Sequence, residues 1–361
     1  MKVEILSQKV ICSNENSIHN YFGWPTVARL QDGRLAMVAS GFRLTHRCPF
    51  GKVVICYSSD EGRTWTKPAV VIDTPLDDRD GGIAVYGEKN VMITSFNNSL
   101  ATQRSWVPDD KNHPHYRTAY LDIVERNGGW EKYLGSTFCI SEDGGNTFGP
   151  VHRIPVSCPH GPAVLQDGTL LYVGTRFDDP EVPPVTGNAI ACYRVQPDGS
   201  YEYLSDIEDI GGILNSYEPH AIQLKSGKII VHIRVQDEKR KTTFTIYQCE
   251  SADGGKTFTK PHQIMGPKGG SPAHLLEHEG VLISVVGYRA VPYGIRVAFS
   301  KDEGLTWDTD HILVDDSANW DVGYPSTVAL KDGTMLTTFY GRLQEEGPAV
   351  IQQVIWKYTE E

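Results

Sequence analysis

The chain is 361 residues long, 40% hydrophobic and 22% charged, with a formal net charge of −11. These are ordinary globular values, and the acidic balance excludes nucleic acid as a partner, because a phosphate backbone needs a basic face. No stretch approaches the ~20 apolar residues that span a bilayer, so a membrane partner is excluded as well.

Residues 1–6 (MKVEIL) offer neither a long apolar h-region nor a small-residue cleavage site. The seven cysteines, at 12, 48, 56, 139, 158, 192 and 249, are an odd number without CxxC spacing. That pattern predicts reduced thiols in a cytoplasmic protein. The apolar run at 3–10 is predicted to share a sheet with the last one, at 349–356. Such a pairing would close a ring of sheets and protect its edges.

From residue 24 a unit repeats: a turn, an apolar strand, a D-G-like hairpin and a second strand, first seen as WPTVARLQDG at 24–33. It returns at 80–94, 159–173, 219–233, 272–285 and 325–339, in steps, counted from Pro25, of 55, 79, 60, 53 and 53 residues. Six units at four strands each predict an all-β, six-bladed β-propeller occupying residues 1–361 as a single domain.

The long step holds an insertion at about 97–133, placed in the second blade. Tyr116, Tyr120, Ile123 and Val124 recur there at helical spacing before Asn127-Gly128, which predicts a short helix, a candidate wall of a ligand cleft. His113-Pro114-His115 lacks a third ligand at sensible spacing and reads as a solvated loop, so no metal is expected.

A second repeat, S-x-D-x-G-x-T-[WF], occurs at 58–65, 141–148, 251–258 and 300–307. The Asp accepts backbone N–H bonds, the Gly takes positive φ, and the aromatic ring plugs between blades. These aspartates therefore read as turn staples.

The first strand of every propeller blade lines the central channel, so the turns entering those strands converge on one mouth. They carry Trp24, Arg79 with Asp80, His160, Glu218 with His220, His274, and Tyr324. So many titratable and aromatic groups at one ring of positions nominate a site.

The four boxes, NSYEPH at 215–220 with Arg234 sixteen residues beyond Glu218, and GYPST at 323–327 leading into LKDG at 330–333 resemble the sialidase (neuraminidase) superfamily over nearly the whole chain. The resemblance implies a sialidase-like propeller acting as an exo-glycosidase, with no cofactor and a small oligosaccharide or glycoconjugate as its partner. Tyr324 would be the nucleophile, Glu218 the base that activates it, and Arg234 and Arg289 two of three arginines clamping a sugar carboxylate. A phenol with a pKa near 10 needs such a base, and a planar guanidinium binds a carboxylate bidentately.

Two departures shape the expectation. Where these enzymes open the first blade with Arg-Ile-Pro, this chain has Trp24-Pro25. Arg43, Arg47 or Arg79 is then the candidate substitute, and Trp24 a candidate platform for a sugar face. The first-blade loop at 41–51, where the family carries its acid/base aspartate, has no carboxylate. The proton donor is then His46, whose ordinary pKa suits the task, or Asp80, which is favoured by its place at a channel-lining strand unless it is spent on an ion pair with Arg79. His160, His220 and His274 are read as hydroxyl-binding or structural. Removal of a terminal acidic sugar, action on another sugar as a hydrolase or lyase, and glycan binding without catalysis are the functions considered. Oligomeric state is not legible.

Overall fold

Each repeat folds into an antiparallel sheet, four-stranded in five cases and five-stranded in the third, where the innermost strand is split, and in the computed structural model the six sheets form the blades of a propeller. The structure describes residues 1–360 apart from 110–112, 178, 182–186, 238, 240–241 and 271. The innermost strands of blades 1 to 6 are Tyr21–Arg29, Arg79–Tyr86, the split pair Val156–Ser157 and Ala163–Val164, Leu214–Gln223, Ala273–His278 and Gly323–Ala329. Blade 6 takes its outer strand from the opposite end of the chain. Lys2–Cys12 pairs antiparallel with Ala349–Thr359, as the apolar runs at 3–10 and 349–356 predict.

Short β-branched and aliphatic runs are buried on both faces of the middle strands, and each pair of neighbouring blades shares a separate apolar cluster. Leu30, Val38 and Ile55 meet Ile83 and Val91 between blades 1 and 2. Ile283 and Val297 meet Phe339 and Trp356 between blades 5 and 6. Met37 and Val54 meet Leu336 and Ile351 where blade 1 closes against blade 6.

The four Asp boxes staple turns as their composition predicts. Asp60 accepts bonds from the Thr64 amide (2.8 Å) and hydroxyl (2.6 Å), and the other three boxes repeat the pattern. Each box aromatic packs on the preceding blade. Trp65 donates to Gln353 of blade 6 at 2.8 Å, and Trp307 of blade 5 to Gln248 of blade 4 at 2.9 Å.

Around the channel, the innermost strands are stitched side chain to backbone. The Leu275 amide donates to His220 Nδ1 (2.9 Å), the Thr327 amide to His274 Nδ1 (3.4 Å), and the Val27 amide to Ser326 Oγ (3.1 Å). Inner strands lack a sheet partner on their channel side, so buried amides there need such acceptors. Blades 2 and 3 approach more closely still. A Cβ on Gly82 would lie 2.4 Å from the Gly161 nitrogen, which only glycine tolerates.

The insertion forms two helices, Leu100–Ser105 and Pro114–Asn127, over a satellite core of Leu76, Leu121, Val124, Trp130 and Leu134. The longer helix ends at Gly128 as expected, but Arg117, Leu121 and Val124 form its buried face. Tyr116 and Ile123 are about half exposed, a correction to the stripe read from spacing. His113-Pro114-His115 starts this helix instead of forming a loop, because proline's fixed φ suits a first helical position. All seven cysteines are buried free thiols, and among the described residues no helix is long and apolar enough to cross a membrane.

Candidate active site

Trp24, Asp80, Glu218 and Tyr324 lie inside the inner strands, at bulges, instead of in turns that precede them, whereas His160 keeps to a turn and His274 to a regular strand. The strands of blades 1, 2, 4 and 6 lose register at Gly23/Thr26, Arg79/Gly82, Tyr217/His220 and Gly323/Ser326. At each break one residue takes a left-handed backbone: Trp24 (φ +58°), Asp80 (+48°), Glu218 (+42°) and Tyr324 (+49°). For a side chain other than glycine this costs roughly 1–2 kcal/mol. Such strain concentrates where a fold must aim a side chain. Four strained residues at equivalent positions of four blades mark the site independently of their chemistry.

Tyr324 and Glu218 are brought together. The Tyr324 hydroxyl donates to Glu218 Oε1 at 2.6 Å, and Arg234 Nη1 donates to Glu218 Oε2 at 2.7 Å while lying 3.5 Å from the phenol oxygen. Arg234 stands opposite Tyr217 in the neighbouring strand, and Gln236 holds the rest of its fork at 3.1 and 2.7 Å. Burial, followed by the Glu218 and Asp80 carboxylates, pushes the Tyr324 pKa well above its ordinary value. The phenol therefore needs the acceptor it has.

Arg289 lies 5.9 Å from the centre of the Tyr324 ring, anchored by the Val322 carbonyl (2.9 Å) and the Tyr340 hydroxyl (3.0 Å). It and Arg234 lie 5.7 and 5.0 Å from the ring of Phe244, so the two guanidinium groups flank one aromatic ring, with Arg289 facing the cleft beside it. A cleft of about 480 Å³ opens there, lined by Gln236, Phe244, Lys268, Arg289 and Trp320. Its size is that of a small-ligand site, roughly 300–1,000 Å³.

Asp80 is 3% exposed, and its Oδ1 has no hydrogen-bond partner. The ion pair with Arg79 considered from sequence does not form. Arg79 instead donates to Asp77 (3.2 Å) and to the His46 carbonyl (3.0 Å). Burial raises the Asp80 pKa to about 7; Arg79 opposes the rise and the nearby Glu218 charge adds to it.

Other expected residues fall differently. Arg43 is fully buried, with a bidentate pair to Asp77 at 2.5 and 2.8 Å, so it is not free to hold a sugar. Trp24 is 2% exposed with Arg79 and Arg43 4.2 and 4.8 Å from its ring, a seat for arginines and not an open sugar platform. His46 is held uncharged at neutral pH. Burial lowers its pKa to about 4 despite a bond to Asp321, because a charged imidazole is poorly solvated there.

His160, His220 and His274 cluster beneath the mouth, their ring centres 4.5–5.6 Å apart. Burial keeps His220 near 3 and the other two well below their ordinary value. His220 and His274 serve as the stitches described above. His160 bonds Thr26 through Nδ1 at 3.0 Å, and its buried Nε2 has no partner. Among the described residues no group of three or more histidine, cysteine or acidic side chains is arranged to hold a metal ion.

Sequence reasoning missed Asp321, Gln236, Phe244 and Tyr340. Asp321 had a usable signal, three residues before Tyr324 in WDVGY. Gln236 and Phe244 had none, since their role depends on where Arg234 points.

A family model described as a BNR repeat-like domain matches residues 118–337. Among solved structures, a Dyadobacter fermentans protein of unknown function is similar at 19% identity, covering 99% of both chains, with a TM-score of 0.76. The NanB sialidase of Streptococcus pneumoniae is similar at 13% identity, over 97% of this chain and 70% of that one (TM-score 0.63). The intramolecular trans-sialidase of Ruminococcus gnavus is similar at 10% identity, over 96% and 97% (TM-score 0.65). At these identities the likeness is one of fold. No curated protein matches the sequence.

Proposed function

The chain belongs to the family of BNR repeat-like domains and folds as a sialidase-like propeller, and from that premise we propose that it is a retaining exo-glycosidase removing a terminal acidic sugar, sialic acid or a relative. The observation that carries the reading is the 2.6 Å bond from the Tyr324 hydroxyl to Glu218, with Arg234 and Arg289 beside it.

In this reading the two guanidinium groups receive the sugar carboxylate. Tyr324 attacks the anomeric carbon as Glu218 takes the phenol proton, and Asp80 gives a proton to the departing oxygen. A neutral phenol suits the task because a carboxylate nucleophile would be repelled by the substrate's own charge, and sialidases are the recognised tyrosine exception among glycosidases. A carboxyl with its pKa raised to about 7 is poised to donate near neutrality. Water then releases the sugar with net retention.

With Trp24 in the position of a third arginine, a second acidic sugar such as a uronic acid is the alternative substrate. A panel of chromogenic glycosides, including a sialoside and a uronide, tests the reading against wild type and Tyr324→Phe. Turnover of an acidic glycoside that Tyr324→Phe abolishes is the expected result. Turnover of neutral sugars only would remove the carboxylate clamp, and no turnover at all would favour a glycan-binding role.

A further inference from the structure

His46 lies on the loop between the second and third strands of blade 1 and meets an acid brought from blade 6. Its Nδ1 is 2.9 Å from Oδ1 of Asp321, which is 2% exposed. Asp321 also accepts from the Tyr21 hydroxyl, 3.0 Å from each oxygen, and from Arg342 Nε at 3.0 Å. Burial alone would raise the Asp321 pKa, but His46 and Arg342 outweigh it and hold the carboxyl well below its usual range. An ionised carboxylate only accepts hydrogen bonds, so a neutral His46 carries its proton on Nδ1 and keeps a lone pair on Nε2.

The rest of the surroundings are built to hold this ring still. The His46 carbonyl accepts from Arg43 Nη2 and Arg79 Nη1, both at 3.0 Å. The long helix of the insertion reaches the same loop, Arg117 Nη2 donating to Thr45 Oγ1 at 2.8 Å. The imidazole lies 5.0 Å from Trp24 and 6.0 Å from the exposed Trp320, with 28% of its side chain open. The charged and titratable groups around it are Asp321, Tyr21, Arg79, Arg289 and Arg342. Two of them, Arg79 and Arg289, reinforce burial in keeping the ring neutral, so its Nε2 lone pair is unprotonated at neutral pH.

We infer that Asp321 positions His46 as a base at the mouth, and that His46 takes a proton from the water that releases the sugar from Tyr324. The inference rests on the retaining reading given above. Asp80 is 3% exposed, whereas 28% of the His46 side chain is open to solvent. The step balances. As the water oxygen bonds to the anomeric carbon, His46 Nε2 takes one water proton and the Tyr324 Oη–carbon bond breaks. The phenolate recovers the proton held by Glu218. The imidazolium loses its extra proton to the solvent it faces. Asp80, which gave its own to the leaving group, takes one from water once the sugar has left, and the enzyme is restored.

The test follows an aryl glycoside of the acidic sugar by stopped flow, with wild type, His46→Gln, Asp321→Asn and Tyr324→Phe. The inference predicts that both dyad variants release the first equivalent of aryl alcohol within about threefold of the wild-type rate. Their steady-state rate falls roughly 10²-fold or more, the scale of a lost general base. Azide, which needs no deprotonation, restores turnover and gives a glycosyl azide of retained configuration. First-turnover rates that fall in parallel, absence of azide rescue, or unchanged turnover would overturn it. Melting curves accompany each variant; if Asp321→Asn does not fold, His46→Gln decides alone. Turnover that survives Tyr324→Phe defeats the retaining reading and this inference with it, whereas normal Tyr324 dependence with indifferent His46 variants defeats the inference only.

Discussion

The hydroxyl of Tyr324 donates a 2.6 Å hydrogen bond to Glu218 although 106 residues separate them, and both occupy left-handed backbone at the bulge of a channel-lining strand. The proline after each forbids the ladder bond that a regular strand would make there. One local device, repeated in blades that lie two apart, thus aims two side chains from distant sequence at one point.

Asp80 is expected to set the alkaline limb of activity. Its folded-state pKa is raised to about 7 and the protonated form is the donor, so kcat/KM falls as pH rises through about 7. Asp80→Asn lowers kcat by roughly 10²- to 10⁴-fold on substrates with poor leaving groups. Activated aryl glycosides, which need little protonation, lose far less. Equal losses on both substrate types would remove Asp80 from proton donation.

Arg289 and Arg43 are expected to differ in kind. Arg289→Ala removes one charged contact to the sugar, about 1.5–3 kcal/mol, or roughly 10- to 150-fold in KM, with an unchanged melting temperature. Arg43→Met strips the buried Asp77 of its bidentate partner and leaves it only the longer contact from Arg79, a cost of up to about 3–5 kcal/mol. Its signature is a lower melting temperature. The reverse pattern would show that the two arginines have been assigned the wrong way round.

Much of this architecture was legible in the sequence, for identifiable reasons. The period of the strand–turn–strand unit and the four Asp boxes are local patterns, and the pairing of 3–10 with 349–356 followed from the need to close a ring. Tyr324 and Glu218 stood out because the same period put them at one ring of positions, and Arg234 through the resemblance of its segment to the sialidase Glu-Pro strand with an arginine sixteen residues on. What escaped was direction. Arg43 looked like any arginine of the mouth, yet its guanidinium turns inward to Asp77. Trp24 looked like a platform, yet two guanidinium groups cover it. The His46–Asp321 pair joins residues 275 apart through loops that have no periodic signal.

The stitches between inner strands should carry measurable stability. Ser326→Ala leaves the buried Val27 amide without its acceptor, a loss of about 1–3 kcal/mol. Chemical denaturation at neutral pH would read this directly. A midpoint equal to wild type would mean that water replaces the hydroxyl.

Acid should destabilise the fold well above the carboxylate range. His46, with a folded pKa of about 4, and His220 and His232, near 3, are depressed by burial below the ordinary 6.5, and His160 and His274 share the direction. The unfolded chain therefore binds their protons first, and stability present above about 6.5 is lost as pH falls toward 4. Asp78 and Asp80, both raised to about 7, act the other way, their contribution being lost as pH rises from 4 to 7. Five histidines against two aspartates predict a melting temperature that declines from pH 7 to 4. A flat or rising curve would contradict these burial effects.

The most direct test of the account is a search for the covalent intermediate. A fluorinated acidic sugar that forms but does not release a glycosyl-enzyme should add its mass, one sugar per chain, to the peptide containing Tyr324, and Tyr324→Phe should stay unlabelled. Hydrolysis of the parent sugar with no adduct, or with an adduct on another residue, would show that Tyr324 is not the nucleophile.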